Sequence, residues 1–153
     1  MGDLPLPILL KIKKGILYIP SSYRVSEGLA VAMKGAMCNL QHIGRPALHR
    51  AIFDRNSMND EVFSSVLRGL RSRPEFMGIH SVSNEIKEMA SKQICNILNK
   101  ETEDLGYDAP PPELQELTLI SNKCKPESMD EIIAAIKNCV SLKKLTLRDM
   151  AVS

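Results

Sequence analysis

The sequence predicts an α/β fold in which a strand and a helix repeat along the chain. An interval of 28 residues separates two leucine triplets: Leu114, Leu117 and Leu119, then Leu142, Leu145 and Leu147. A fixed interval of this size is typical of a solenoid, in which consecutive units stack on one another. Helical spacing is found between the triplets, at Met129, Ile132, Ile133 and Ile136. Each unit is therefore expected to hold one short strand and one helix.

The clearest copy is residues 114–122, which read LxxLxLxxN and end at Asn122. Side chains alternate along a strand, so the leucines are expected to point into the core. This pattern resembles a leucine-rich repeat of the ribonuclease-inhibitor type. The resemblance implies a solenoid of about five repeats of 28 residues, with parallel strands on a concave side and helices on a convex side. It also implies that the amides of Asn56, Asn84 and Asn122 satisfy backbone groups at the turns, as a ladder between coils.

Earlier copies follow the same register when each asparagine is taken as position zero. Strand residues at −8, −5 and −3 and helix residues at +7, +10, +11 and +14 are predicted to be core. Around Asn84 they are Phe76 at −8 and Ile79 at −5, with Ser91, Ile94, Cys95 and Leu98 at the four helix positions. Around Asn56 they are Leu48, Ala51, Phe53, Phe63, Val66, Leu67 and Leu70. Position +2 is apolar or Cys in four copies: Met58, Ile86, Cys124 and Val152.

A weaker first copy places Ser22 at position zero. Its predicted core residues are Leu17, Ile19, Leu29, Ala32, Met33 and Ala36. Terminal repeats are often atypical because one of their sides faces solvent. A plain amphipathic helix in an unrelated cap is the alternative. The repeat domain is thus predicted to span residues 14–153, after an irregular lead-in at 1–13.

Two insertions interrupt the interval, at about residues 39–46 and 100–112. The first contains Gly44 and Pro46, and the second is acidic and then proline-rich. Proline cannot donate to a sheet ladder, so the second insertion is expected to be an exposed loop. Long loops often carry function, which makes it either a binding loop or a tolerated insertion.

The composition, with 44% hydrophobic and 25% charged residues, is ordinary for a soluble globular protein. The net charge is +2 and Trp is absent, which does not favour nucleic-acid binding. No apolar run is long enough for a membrane span. The N-terminus lacks the features of a signal peptide, and the four cysteines form no CxxC pair. We expect reduced thiols, with disulfides as the alternative, and Cys95 and Cys124 as core packing. A cytoplasmic location is expected, with a nuclear location also open.

The candidate partner-binding residues occupy the outward strand positions, at −6, −4 and −2. They are Tyr18, Arg50, Ile52, Asp54, His80, Val82, Glu116, Thr118, Ile120, Lys144, Thr146 and Arg148. Neighbouring apolar residues are expected in two columns, Tyr18 beside Ile52 and Val82 beside Ile120. An apolar centre with a charged rim resembles a protein-binding surface. Scattered surface apolar residues, which need no explanation, are the alternative.

The sequence predicts no catalytic, cofactor or metal site. No Cys or His cluster has metal-ligand spacing, and no glycine-rich phosphate loop is present. His42 and His49 lie in a loop and beside a strand. His80 could meet Asp54 or Glu116, although a plain surface histidine is the simpler reading. A basic cluster at the end of the second repeat's helix (Arg68, Arg71 and Arg73) suits the negative pole of the helix dipole.

These observations favour a non-enzymatic scaffold or adaptor whose concave face binds a protein. By analogy with other proteins of this repeat type, we expect a subunit of a cytoskeletal or ciliary assembly. The alternatives are a GTPase regulator, with Arg50, Arg55 or Arg148 as the arginine, and a recognition fragment of a larger receptor. The strand at Lys143–Leu147 is expected to be an open edge, covered by further chain beyond residue 153 or by another subunit.

Overall fold

The computed structural model describes residues 12–13, 15–21, 23–39, 47–105 and 110–152. In these residues the strands are β1 (Ile12–Lys13), β2 (Ile16–Ile19), β3 (Arg50–Asp54), β4 (Gly78–Val82), β5 (Glu85–Ile86), β6 (Glu116–Ile120), β7 (Lys123–Cys124), β8 (Lys144–Arg148) and β9 (Ala151–Val152). The helices are α1 (Glu27–Asn39), α2 (Asp60–Arg71), α3 (Glu88–Leu98) and α4 (Pro126–Asn138), with a 3₁₀ turn at Glu103–Leu105. The lead-in before residue 12, Ser22, His42 and most of the predicted 39–46 loop lie outside the described residues.

The fold is mixed α/β, as predicted, and its main sheet has the order β1-β2-β3-β4-β6-β8. Strands β2 to β8 of this sheet are parallel, and β1 pairs antiparallel with β2. The last two residues of the predicted lead-in therefore belong to the sheet. A smaller parallel sheet contains β5, β7 and β9. The predicted strand register is confirmed, because the −5 residues pair in succession: Leu17, Ala51, Ile79, Leu117 and Leu145.

The core lies between the inward side chains of the main sheet and the helices. The four helix positions predicted for the second copy, including Phe63 and Leu70, are all fully buried. Phe53 of β3 meets Phe63 of α2 edge to face, with ring centroids 6.0 Å apart. Helices pack in chain order, α1 on α2, α2 on α3 and α3 on α4. Each strand–helix unit thus completes the core of its neighbours.

The predicted asparagine ladder is present. The amide nitrogen of Asn56 donates to the carbonyls of Pro20 and Tyr23, at 3.0 and 2.7 Å. The amide oxygen of Asn84 accepts from the backbone N–H of Met58 at 3.2 Å. Asn122 is fully buried and links the coil of β6 to that of β4. These bonds fix the ends of neighbouring strands relative to one another.

The core face of α1 differs from the prediction by one position. Ala30, Met33 and Met37 are buried, whereas the predicted Ala32 and Ala36 are only partly buried. The reason is the turn before the helix. Helix α1 begins five residues after position zero, but α2, α3 and α4 begin four residues after it. The buried positions of α1 therefore lie one residue further along the chain than the register predicts.

Other predicted core residues are less buried than expected. Leu145 of β8 and Ile133 of α4 are 44% and 38% exposed, because no described strand or helix lies beyond them. Leu142 and Leu147 are partly buried. Cys95 is half-buried rather than buried, while Cys124 is buried as predicted.

Asp60 is a buried acid that caps the helix of the next unit. Its carboxylate accepts from the backbone N–H groups of Lys87, Met89 and Ala90, at 2.7, 3.0 and 2.8 Å. The first N–H groups of a helix have no partner within the helix, and they carry a partial positive charge that a carboxylate complements. Asp60 therefore couples α2 to the start of α3, which has no side-chain cap of its own at Lys87.

Replacing Asp60 with alanine is expected to lower the free energy of unfolding by about 2 kcal/mol, since three helix-start donors lose a charged acceptor. Urea unfolding followed by circular dichroism measures the effect. The neighbouring Glu61 is exposed and lies in the same helical turn, so Glu61→Ala is the matched control. If Asp60→Ala and Glu61→Ala lowered the free energy of unfolding equally, the Asp60 carboxylate would have no stabilising role as a helix cap.

Candidate functional site: the open face of the main sheet

The twelve candidate residues lie at outward positions of the five parallel strands, and we call this surface the open face. Three columns run across the strands. The first column is Ile16, Arg50, Gly78, Glu116 and Lys144, and the second is Tyr18, Ile52, His80, Thr118 and Thr146. The third is Asp54, Val82, Ile120 and Arg148. Tyr18 pairs with Ile52, and Val82 with Ile120, as predicted.

Exposure differs between the inward and outward sides of the strands. Inward residues such as Phe53 and Leu119 are fully buried, whereas the outward Ile52, Val82 and Ile120 are only partly buried. Tyr18 is 43% exposed. This alternation follows from the pleat of a strand that packs on one side only. The apolar side chains of the open face are therefore accessible to a partner.

An ion pair between Arg50 and Glu116 spans the first column. The Arg50 Nε and Nη2 atoms donate to the two Glu116 carboxylate oxygens, at 3.0 and 3.3 Å. Gly78 lies between them, and a Cβ there would stand 3.0 Å from Arg50 Cγ and 3.4 Å from Glu116 Oε2. Hydrogen bonding from Arg50, together with the charges of Arg50 and Lys144, lowers the pKa of Glu116. Gly78 thus has a role on this face, although it is absent from the predicted candidates.

His80 does not contact the acids proposed for it among the described contacts. Glu116 faces Arg50, and Asp54 forms an ion pair with Arg55 at 3.2 Å. His80 instead lines a shallow hollow of about 110 Å³ above Gly78, with Ile52, Thr118 and Lys144 on its walls. The hollow combines an apolar wall with polar groups, which suits one side chain of a protein partner.

The three arginines considered for a GTPase regulator each lie near an acid. Arg50 is held by Glu116, and Arg55 by Asp54. Arg148 is 3.8 Å from Asp149, with both side chains largely exposed. An exposed pair of this kind is weak, so Arg148 is the least constrained of the three.

The predicted basic cluster is not a surface patch. Arg68 and Arg71 do lie in the last turn of α2, but the Arg71 side chain is fully buried and pairs with Asp104. Arg73 is also buried, and it donates to Glu75 at 2.9 Å. Asp104 lies in the 100–112 insertion, of which 106–109 fall outside the described residues. The first part of that loop is therefore anchored to α2.

Metal-binding side-chain types and free thiols both occur among the described residues. No group of three or more His, Cys, Asp or Glu side chains among them could hold a metal ion. All four cysteines are free thiols, and burial raises the pKa of Cys124 to about 11 and also raises that of Cys95. Both thiols are thus protonated near neutral pH, which suits a packing role.

No helix in the described part of the chain is long and apolar enough to cross a membrane. Comparison with known protein families, with curated proteins and with solved structures gave no match.

Proposed function

We propose that the protein is a non-enzymatic scaffold or adaptor, built as a leucine-rich-repeat solenoid, whose open face binds a protein partner. The solenoid is supported by the strand–helix units, which pair in chain order and in one register from β2 to β8. The asparagine ladder supports it independently. A cytoplasmic protein, in a cytoskeletal or ciliary assembly, is the setting that we propose.

One observation carries the proposal: apolar side chains stay accessible in the second and third columns of the open face. Tyr18, Ile52, Val82 and Ile120 occupy adjoining columns, and charged residues stand around them. Interfaces typically combine an apolar centre with a polar rim, and a few central residues supply most of the binding energy. The bridge between Arg50 and Glu116 orders part of that rim before a partner arrives.

The alternatives have less support. A GTPase regulator needs an arginine that reaches the partner's phosphate, and Arg50 and Arg55 would first have to leave their acids. A recognition fragment of a larger receptor would use the same open face, so its test is the same.

The proposal predicts that Ile52→Asp combined with Ile120→Asp weakens partner binding by at least about thirtyfold, because a buried unpaired carboxylate costs about 2 kcal/mol or more. Immobilised wild type and variant are incubated with cell extract, and the proteins captured by each are compared quantitatively. Far-UV circular dichroism should stay unchanged, since both side chains point away from the core.

The matched control carries the same charges on the helices. Val31 of α1 and Met89 of α3 are 54% and 49% exposed, so Val31→Asp with Met89→Asp should leave capture unchanged. Capture that survives in the open-face variant, or that fails only in the helix variant, would contradict the proposal.

A further inference from the structure

The hollow beside His80 on the open face is rich in hydrogen-bond donors. A guanidinium has five N–H donors, and the described contacts of Arg50 use only two of its nitrogens, Nε and Nη2. His80, Thr118 and Lys144 also line the hollow, and none of their side chains bonds to another described residue. Arg50, His80 and Thr118 lie on β3, β4 and β6, strands that are paired on both sides.

Acceptors are scarce in the same hollow. Glu116 is the one acid among the described residues that line it, and both of its carboxylate oxygens already accept from Arg50. Arg50 and Lys144 carry one positive charge each against the one negative charge of Glu116, so the lining has a net charge of +1 with His80 neutral. A side chain that brings acceptor oxygens and a negative charge complements these groups.

The size of the hollow limits what enters it. Its volume is about 110 Å³, and it lies above Gly78, which has no side chain. Liquid water occupies about 30 Å³ per molecule, so the hollow has room for about four small groups. A carboxylate and its adjoining methylene together have that number of non-hydrogen atoms. A phenyl ring has more and does not fit.

Apolar side chains adjoin the hollow at Ile52 and Tyr18. Ile52 forms part of the wall, and Tyr18 lies beside it in the second column. Tyr18 is 43% exposed and Ile52 is only partly buried, so both can contact a partner. An apolar residue next to the partner's acid would remove this surface from water. The pattern that complements this part of the open face is therefore an acidic residue with an apolar neighbour.

We propose that this hollow receives the side chain of an aspartate or glutamate of the protein partner, with an apolar residue of the same segment on Ile52 and Tyr18. The inference rests on the proposed function, because it names the chemistry of the partner that the open face would bind. The free N–H groups of Arg50, with Thr118 and Lys144, would donate to the carboxylate. Charge-assisted hydrogen bonds are about twice as strong as neutral ones, so the acid would decide which segment of the partner binds.

The first test is a selection of randomised peptides displayed on phage. Peptides that bind the variant carrying Ile52→Asp and Ile120→Asp are removed, and those that then bind the wild type are sequenced. The recovered peptides thus need an intact open face. We expect an acid beside an apolar residue in the recovered set, enriched about fivefold over the starting library, because peptides with the charge-assisted bonds are retained.

The second test is a double-mutant cycle on one recovered peptide, measured by fluorescence anisotropy. Replacing its acid with the matching amide should weaken binding to the wild type about tenfold, since the charge-assisted bonds become neutral. Thr118→Val with Lys144→Met removes two of the donors and nearly preserves side-chain size, so the same peptide change should then cost less than about twofold. Lys92→Met with Thr102→Val changes the same residue types off the open face and should leave the tenfold effect unaltered.

The outcomes separate this proposal from the proposed function. If no peptide is recovered, the open face itself fails as a binding surface, and both are contradicted. Peptides recovered without an acid, or an acid whose replacement costs as much in the Thr118 and Lys144 variant as in the wild type, overturn this proposal alone. Sodium acetate that displaces the peptide at equal concentration would assign the hollow to a free anion. A dimer that the peptide dissociates would assign it to a second copy, and either result overturns the proposal as well.

Discussion

Replacing Asn122 with alanine is expected to lower the free energy of unfolding by about 4 kcal/mol. The side chain is fully buried and makes hydrogen bonds in both directions. Its amide oxygen accepts from the backbone N–H of Asn84 at 2.9 Å and from Ser81 Oγ at 3.0 Å. Its amide nitrogen donates to the carbonyls of Ser81 and Ile120, at 3.0 and 3.2 Å. Alanine removes these four bonds and a weaker fifth one, from the amide nitrogen to Met150 Sδ at 3.8 Å.

The size of the loss depends on which partners have a substitute. The Ile120 carbonyl also accepts from the Ser83 N–H, and the Ser81 carbonyl belongs to the hydrogen-bond ladder between β4 and β6. The Asn84 N–H and the Ser81 O–H are both donors, and both lose the acceptor that the side chain supplied. Each buried polar group left unpaired costs about 1–3 kcal/mol, so two such groups account for about 4 kcal/mol.

Urea unfolding at neutral pH measures this difference. Asn138 is an exposed asparagine at the last position of α4, and Asn138→Ala should change stability by no more than about 0.5 kcal/mol. A loss below about 1 kcal/mol in Asn122→Ala would mean that water replaces the ladder, and the ladder would then have no stabilising role.

The sequence predicted strand register better than helix orientation, for a physical reason. Four of the five parallel strands carry inward apolar residues two apart, and β4 has Ile79 followed by Ser81, so one register alone buries the apolar set. Helix α1 is apolar in several directions, at Leu29, Ala30, Val31, Ala32 and Met33. Periodicity cannot select a face in such a helix. The buried face of α1 is set instead by the turn before Glu27, which is one residue longer than the turns before the other three helices.

The ion pair on the open face could be predicted only in part. The register places Arg50 and Glu116 in one column, two strands apart, which is about 9.6 Å across the sheet. Side chains so separated usually meet the residue between them. They reach each other here because Gly78 has no side chain, and that dependence on a missing group is not visible in a pattern of apolar residues.

Replacing Asp104 with alanine should destabilise the protein by about 3 kcal/mol at neutral pH. Asp104 pairs with Nη2 of Arg71, whose side chain has no exposed surface. Nε and Nη1 of Arg71 have no partner among the described residues, so this carboxylate is the principal compensation for a buried cation. Breaking a buried pair from one side costs about 3–5 kcal/mol, and the lower value applies because Asp104 is itself 43% exposed.

The effect should depend on pH in a defined direction. Burial raises the pKa of Asp104, but hydrogen bonding from Arg71 and the charges of Arg71 and Arg68 outweigh burial and lower it. A lowered pKa in the folded state means that the pair contributes fully above the unfolded value of about 3.9 and is lost as pH falls through the folded value. The difference between wild type and Asp104→Ala should therefore be constant near neutral pH and shrink in acid.

Two further variants separate the charge effect from loss of the loop. Glu103 is exposed in the same 3₁₀ turn, so Glu103→Ala should cost no more than about 0.5 kcal/mol at any pH. Arg71→Met combined with Asp104→Ala removes the cation too and should recover much of the loss. Two outcomes would contradict this explanation: an equal loss of stability for Asp104→Ala in acid and at neutral pH, or a double variant less stable than Asp104→Ala. Packing of the insertion, rather than the buried charge, would then explain the loss of stability.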